Sequence, residues 1–533
     1  MSTRAGPIGR RLGLAGLAGL AGVAGATTAL AFAPWKIIVM ALAGPALALW
    51  SFRRCDRPWA GAGAGLAYGL AFTFLAYHWM LELDLVAYVV LSVLQAGFWA
   101  ILGAVAAWAA RLGSARWLVI VVATWTLIEG ARARFPISGF EWGQLGLSTA
   151  GTVLRRGAAV VGTLGLTGLL VAVAAALVVV AWDRTARSAV PLAASGIAVA
   201  VVTALGALSW TTPGGTLQVA LVQADVPCPG AFAQDCPGYT DVLLDTYVAR
   251  TAALDAVPDL VLWGEDALRS GETLEQVGER LVADFGPLPA PLLAGTATPA
   301  GPGRFLRWAA LFDVDGTALD GYAKRRPVPF GEYVPLRSVL GGISDVGRLV
   351  PSDLVPGTDS APVALPVNGD TVRLGTVVSW EVTFSRLVRD VAAEADGLAT
   401  LTTVSSYGTT AASDQLLGIA QLRAAELQKP MAVAATTGRS AVISPTGEIT
   451  VETGLLTADD VIGEMSLRGG LTPFGRTGDV PVVVLALGAV LLAAAGRRRA
   501  LKPGDDHRVA TPGEHEAHDR EARDRETDPS AAR

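Results

Sequence analysis

Histidine is scarce in this chain. Of 533 residues only His78, His507, His515 and His518 are histidine. The long middle of the sequence therefore holds none, which excludes a Ser-His-Asp hydrolase or a histidine-ligated zinc site there. Cysteine is nearly as rare: Cys55, Cys228 and Cys236 are too few for a structural metal site built on cysteine alone. Lysine occurs only as Lys36, Lys324, Lys429 and Lys502, arginine supplying the remaining positive charge. Charged residues make up 17% of the chain, against roughly 25% in ordinary soluble domains. Hydrophobic residues reach 52% and the mean hydropathy is +0.45, so a wholly cytosolic enzyme is excluded. The net charge of -5 offers no general pull on phosphate, which argues against a nucleic-acid partner.

What is abundant is long apolar sequence. A helix needs about 20 apolar residues to cross a bilayer, and seven runs approach that length before residue 212. They are Leu12 to Phe32, Ile37 to Phe52, Ala60 to Trp79, Val86 to Ala110, Trp117 to Ala131, Ala158 to Trp182 and Ala189 to Trp210. The second and fifth are short. The first (GLAGLAGLAGVAGA) has the small residues that permit close helix contact. Arg4, Arg10 and Arg11 before it would also suit a signal-peptide n-region, but further runs follow at once, and it is read as an anchor. An eighth run, Val480 to Ala495, is followed by Arg497, Arg498 and Arg499.

Arginines cluster before run one and after runs two, four and six, while Glu82 and Asp84 follow run three. The positive-inside rule then puts both termini in the cytoplasm and everything between runs seven and eight outside it. One loop dissents: Arg132, Arg134, Arg155 and Arg156 lie where the outer side is expected. The expected organisation is a membrane domain at 1–212, a soluble α/β domain at 215–468, a last span at 479–496 and a disordered charged tail at 497–533. The α/β reading rests on alternation. Short β-rich runs (217–223, 260–263, 292–296, 372–379 and 431–437) are separated by amphipathic stretches such as 242–256 and 415–428.

With no histidine, catalysis in that domain must come from carboxylates, lysine and a nucleophile. Three places qualify. In Leu262-Trp-Gly-Glu-Asp266 an acid follows an apolar strand, where partial burial can tune it as a general base. Alone, Glu265 or Asp266 reads first as a helix N-cap. The segment 321–335 has three prolines and is expected to be an ordered loop carrying Lys324 and Glu332. A lone lysine is ordinarily a solvated surface charge. In Val377-Val-Ser-Trp-Glu381 a strand runs into Ser379, with Glu381 two positions on; a serine at a strand end is ordinarily a turn or cap residue.

Taken together, Trp263-Gly-Glu265, the segment Tyr322 to Pro335 and Ser379-Trp380-Glu381 resemble the motifs of the apolipoprotein N-acyltransferases. So do Gly139-Phe-Glu-Trp-Gly-Gln144, Leu422 to Pro430, and Thr437-Gly-Arg-Ser-Ala441. The resemblance covers nearly all of the chain before the tail. It implies a polytopic α-helical membrane protein of about eight spans, carrying an extracytoplasmic nitrilase-like αββα sandwich, in the plasma membrane. It also implies a reaction: an acyl chain passes from a phospholipid to a nucleophile, and then to the N-terminal amine of a diacylglyceryl-cysteine lipoprotein. Glu265 would be the base, Lys324 the oxyanion partner and position 379 the nucleophile. Glu332, Trp380 and Glu381 would support them. Phospholipid and diacylated apolipoproteins are the implied partners; no metal or cofactor is implied.

The chain departs from the family pattern at the nucleophile, where the family has cysteine and this sequence has Ser379. A thiol ionises near pH 8.5, within reach of a carboxylate base, whereas a hydroxyl is far less acidic. The family's proline before the glutamate is Gly264, and its asparagine-containing stretch has become Thr402 to Gly408. Two alternatives therefore stand beside a serine-based acyltransferase. One is a silent paralogue that binds lipoproteins, phospholipid or an active relative; the other is a nitrilase-type amidase. On the outer side of a membrane, Cys228 and Cys236 would be placed to form a disulfide.

Overall fold

All eight apolar runs are helical in a computed structural model, which describes residues 13–137, 139–226, 238–268, 270–340 and 350–500. Cys228 and Cys236 lie outside the described residues. The chain divides into two units, 1–493 and 494–533; of the second only the end of the helix Val480–Ala500 is described. The first seven helices are α1 (Leu14–Ala29), α2 (Met40–Arg53), α3 (Pro58–Ala76), α4 (Leu85–Ala109), α5 (Ser114–Arg132), α6 (Ala158–Asp183) and α7 (Ala189–Gly206). Five described stretches are long and apolar enough to cross a membrane, those built on α3 to α7. The first run makes a shorter helix than its apolar length: α1 has 16 residues and stops at Ala29, ahead of turns leading into Pro34. At 1.5 Å per residue α1 spans about 24 Å, less than the roughly 30 Å of a hydrocarbon core.

Close helix crossing is not confined to the first run. A Cβ on Gly61 of α3 would collide with the carbonyl of Gly103 on α4, and one on Gly103 with the carbonyl of Gly61. In α1 Gly25 has such a close neighbour, the Tyr68 carbonyl, while nothing lies within 4 Å of Gly19. All four dissenting arginines have partners within the protein. Arg132 donates to Gln95 Oε1 (2.6 Å) and to the Tyr77 hydroxyl (2.7 Å). Arg155 and Arg156 both face Glu448, at 3.0 and 3.5 Å, and Arg134 pairs with Asp479 at 3.0 Å. Charges matched this way say little about which side of a membrane the loop occupies.

Thirteen strands build the described part of the α/β region. They are β1 (Thr212–Gln223), β2 (Leu260–Trp263), β3 (Leu292–Pro299), β4 (Arg304–Phe312), β5 (Ala318–Ala323), β6 (Asp353–Leu354), β7 (Val363–Val367), β8 (Asp370–Val378), β9 (Gly397–Thr402), β10 (Met431–Ala435), β11 (Ala441–Ile443), β12 (Ile449–Glu452) and β13 (Asp459–Gly469). One sheet runs β13-β1-β2-β3-β4-β5, with β6 beside β4; the other runs β12-β11-β10-β9-β8-β7. Each has a parallel centre, β1-β2-β3 or β8-β9-β10, flanked by antiparallel strands. The segment expected to be a loop from residue 321 begins as strand, because Gly321 and Tyr322 pair with Ala310 and Ala309.

Strand periodicity sorts side chains between layers. Leu217, Val219 and Leu221 of β1 join Leu260 and Leu262 of β2 in the core between the sheets. The alternate residues Ala220, Val222, Val261 and Trp263 pack under helices α8 (Tyr239–Ala252) and α9 (Leu274–Phe285), against Leu243, Tyr247, Val277 and Leu281. The helix Ala412–Leu427 covers the second sheet and also packs on α6, Leu422 meeting Ala158 and Leu166. Lying between two hydrophobic partners, it is buried on most sides rather than amphipathic as its sequence led us to expect.

Candidate active site

Residues at the carboxyl ends of β2 and β8 meet residues from the end of β5. Ligands commonly bind in α/β folds beyond the carboxyl ends of parallel strands. Glu265, two residues past β2, is 2% exposed and caps no helix; α9 begins later, with Thr273 as its N-cap. Lys324, the residue after β5, is fully buried. Its Nζ donates to Glu265 Oε1 at 3.1 Å and to Glu332 Oε1 at 2.7 Å. Glu332 is held from the other side, its Oε2 accepting the Val328 N–H at 2.7 Å. Ser379 leaves β8 with φ +58°, a left-handed conformation uncommon outside glycine. The turn leaves it half-buried, with its hydroxyl beside the Glu265 carboxylate and helping to hold that carboxyl down.

Glu381 does not touch Lys324. Its Oε1 accepts the N–H groups of Arg325 (2.7 Å) and Arg326 (2.8 Å) and the Tyr322 hydroxyl, and its Oε2 accepts the Val378 N–H at 2.8 Å. It therefore bolts the lysine segment to the turn that carries Ser379. Trp380 does the same through its indole, which donates to the Arg326 carbonyl at 2.6 Å. Gly264 has a packing reason: a Cβ there would collide with the Thr436 N–H, and its own N–H donates to the Tyr247 hydroxyl at 3.1 Å. A proline could make no such bond.

Sequence reasoning missed Arg307. Its guanidinium lies 3.0 Å from Glu265, 2.6 Å from Asp266 and 3.5 Å from Glu332. Burial would push the Glu265 carboxyl up, but Lys324 and then Arg307, with the Ser379 hydroxyl, hold it below the usual carboxylate range. Burial would likewise lower Lys324, yet Glu265 and Glu332 raise it, so the ammonium keeps its proton. Burial pushes Glu381 up to about 7, against the pull of Lys324 and its N–H donors. The cluster thus offers an anionic carboxylate near a hydroxyl, with a fixed ammonium beside it. Among the described residues no group of histidine, cysteine and carboxylate side chains could hold a metal. Lys429, the other buried lysine, is structural: it donates to the carbonyls of Ala395 and Arg468.

A second buried ionic cluster ties this turn to the helices. Glu141 Oε2 accepts the Ser385 N–H at 2.9 Å, and Arg423 lies 4.0 Å from Glu141 and 3.1 Å from Glu426. Glu426 in turn accepts from the N–H and hydroxyl of Thr163, at 2.8 and 2.6 Å. One arginine faces two carboxylates, and burial pushes Glu141 up to about 7 from an ordinary value of 4.5. A carboxyl raised on folding favours the folded state below its unfolded value and loses that advantage as pH rises through the folded one. Glu141→Gln is therefore expected to melt with wild type at pH 5 and above it at pH 8, read by thermal unfolding in detergent. A lower melting point at pH 8 would mean the charge is needed.

Residues 24–176 match the family model for the apolipoprotein N-acyltransferase N-terminal domain, and 290–469 match that for carbon-nitrogen hydrolases. The second range includes Arg307, Lys324, Glu332, Ser379 and Glu381 but begins after Glu265. A Chromobacterium violaceum protein named apolipoprotein N-acyltransferase is 31% identical over 501 residues, 88% of this chain and 91% of its own length. Proteins of the same name from Pseudomonas putida and Shewanella oneidensis are 29% and 28% identical, covering 92% and 89% of this chain and 98% and 94% of theirs. A crystal structure of an amidase from Nesterenkonia sp. overlays at a TM-score of 0.32 and 19% identity, covering 51% of this chain and 97% of that one. At that score it adds nothing to the topology above. On sequence relationship over nearly its full length, the chain belongs to the apolipoprotein N-acyltransferase family.

Proposed function

We propose that this protein transfers an acyl chain from a membrane phospholipid to the N-terminal amine of diacylglyceryl-cysteine lipoproteins, using Ser379. The observation that carries the reading is the convergence of Ser379, Glu265 and Lys324 in one half-buried cluster. In the first step Ser379 Oγ attacks the ester carbonyl of the phospholipid while Glu265 takes its proton. Lys324 stabilises the oxyanion. The lysophospholipid oxygen leaves with that proton, and an acyl-serine ester remains. In the second step the lipoprotein amine attacks the ester, Glu265 relays its proton to Ser379 Oγ, and the N-acylated product departs.

We read the protein as an eight-span protein of the plasma membrane, its termini cytoplasmic and the 215–468 domain outside. Donor and acceptor then both reach the site from the outer leaflet. The serine itself favours a second reading, a chain that binds lipoproteins, phospholipid or an active relative without turnover. The test is purified protein in phospholipid micelles with a diacylated lipopeptide, the product weighed by mass spectrometry. A mass gain of one acyl chain on the peptide amine is expected. Retention of the lipopeptide with no mass gain would overturn the enzyme reading in favour of the binding one.

A further inference from the structure

The chain is acidic overall, yet five arginines gather at one place. A cavity of about 420 Å³ is lined on one side by Arg134, Arg386 and Arg389, and on the other by Val480, Val483 and Val484 of the last helix. A second cavity, of about 400 Å³, is lined by Arg325, Arg326 and again Arg386, which forms a shared wall. Two carboxylates accompany the five arginines, and both are engaged: Asp479 with Arg134 at 3.0 Å and Asp390 with Arg325 at 3.9 Å. Arg386 is exposed and, among the described residues, makes no ion pair. The apolar wall is equally unsatisfied. Val480 and Val484 are 65% and 60% exposed, and the exposed face continues along the helix through Leu485, Leu491 and Leu492. An apolar helix face that ends in a basic hollow matches a lipid, with its tail along the helix and its phosphate at the hollow.

We infer that these cavities form a headgroup site for an anionic phospholipid, the donor that feeds Ser379. The inference rests on the function proposed above and names its substrate class. Arg325 and Arg326, which line the inner cavity, also hold Glu381 and Trp380 through their backbone, next to Ser379 in the chain. Among the described residues the hollow has no carboxylate outside the Asp479 and Asp390 pairs to greet a headgroup amine or choline. Its surplus positive charge selects a headgroup whose phosphate charge is uncancelled, such as phosphatidylglycerol.

The test measures retention apart from turnover. Full-length protein carrying Ser379→Ala is exchanged into mixed micelles of phosphatidylglycerol and phosphatidylcholine, and retained lipids are counted by native mass spectrometry. Phosphatidylglycerol should be kept in preference, and Arg386→Gln with Arg389→Gln should weaken its retention about 10- to 30-fold. Arg386→Lys with Arg389→Lys should keep most of it, and equal melting temperatures would establish that the variants are folded. Equal retention of the two lipids, or no change in the glutamine variant, would overturn the site. Displacement of the lipid by millimolar glycerol phosphate would make it a site for a soluble anion instead. Because Ser379→Ala is the background, a failure of acyl transfer leaves this result intact, and the reverse.

Discussion

Ser379→Ala is expected to abolish acyl transfer, and Ser379→Cys to raise it at least about tenfold above wild type. The argument is one of acidity. Glu265 is held below the usual carboxylate range by Lys324 and Arg307, which makes it a weak base. A weak base removes little of the proton from a hydroxyl. A thiol near pKa 8.5 is a few per cent ionised at neutral pH without help. The thioester formed would also pass its acyl group to an amine more readily than an oxygen ester. Thiol alkylation should remove the gain of the cysteine variant, since wild type has no thiol at 379. Ser379→Gly serves as a control for folding. It removes the hydroxyl and also relieves a left-handed backbone, φ +58°, that costs a side-chain residue roughly 1 kcal/mol. It should therefore be inactive and no less stable. A fully active Ser379→Ala would sink the proposed mechanism.

Lys324→Met should remove activity and stability together. Lys324 is fully buried between Glu265 and Glu332, with Arg307, among the described residues, the one other cation on them. Deleting one partner of a buried pair leaves a charge without compensation and costs about 3–5 kcal/mol. Losing an oxyanion donor costs on the order of 10²–10³ in rate. The two losses can be separated. Lys324→Met with Glu332→Gln removes one charge of each sign and should recover much of the stability in chemical denaturation, while transfer stays lost. If the double variant recovered both, Lys324 would act only by holding the fold.

Local sequence carried the candidate site unevenly. Glu265, Lys324 and Ser379 each sit in a short segment whose residue types announce chemistry, and the structure brings all three together. The ordinary readings of two of them, a helix cap for Glu265 and a surface lysine for Lys324, fail because those segments end together at one end of the stacked sheets; Ser379 is a turn residue as well as a neighbour of both. Arg307 had no such signal. It lies within a strand, and its neighbours follow from pairing: Trp308 opposite Ala323 sets the Arg307 carbonyl to accept the Lys324 N–H at 2.8 Å. Gly264 shows the opposite error. It looked like a lapse from a motif until the close approach of Thr436 gave it a reason.

Length and hydropathy determined the helices of the membrane region, because an apolar run of that length has few ways to satisfy its backbone except as helix. Alternating short strands and helices determined the α/β character of the remainder. Which glycines carry the close helix crossing, which arginines are neutralised, and which charges meet at Ser379 were decided by tertiary structure alone. Each depends on a neighbour far away in the chain: Gly61 on Gly103, Arg155 on Glu448, Lys324 on Glu265. A sequence pattern records what one residue can do, but the field that sets its charge and the surface that sets its space come from residues the fold brings beside it.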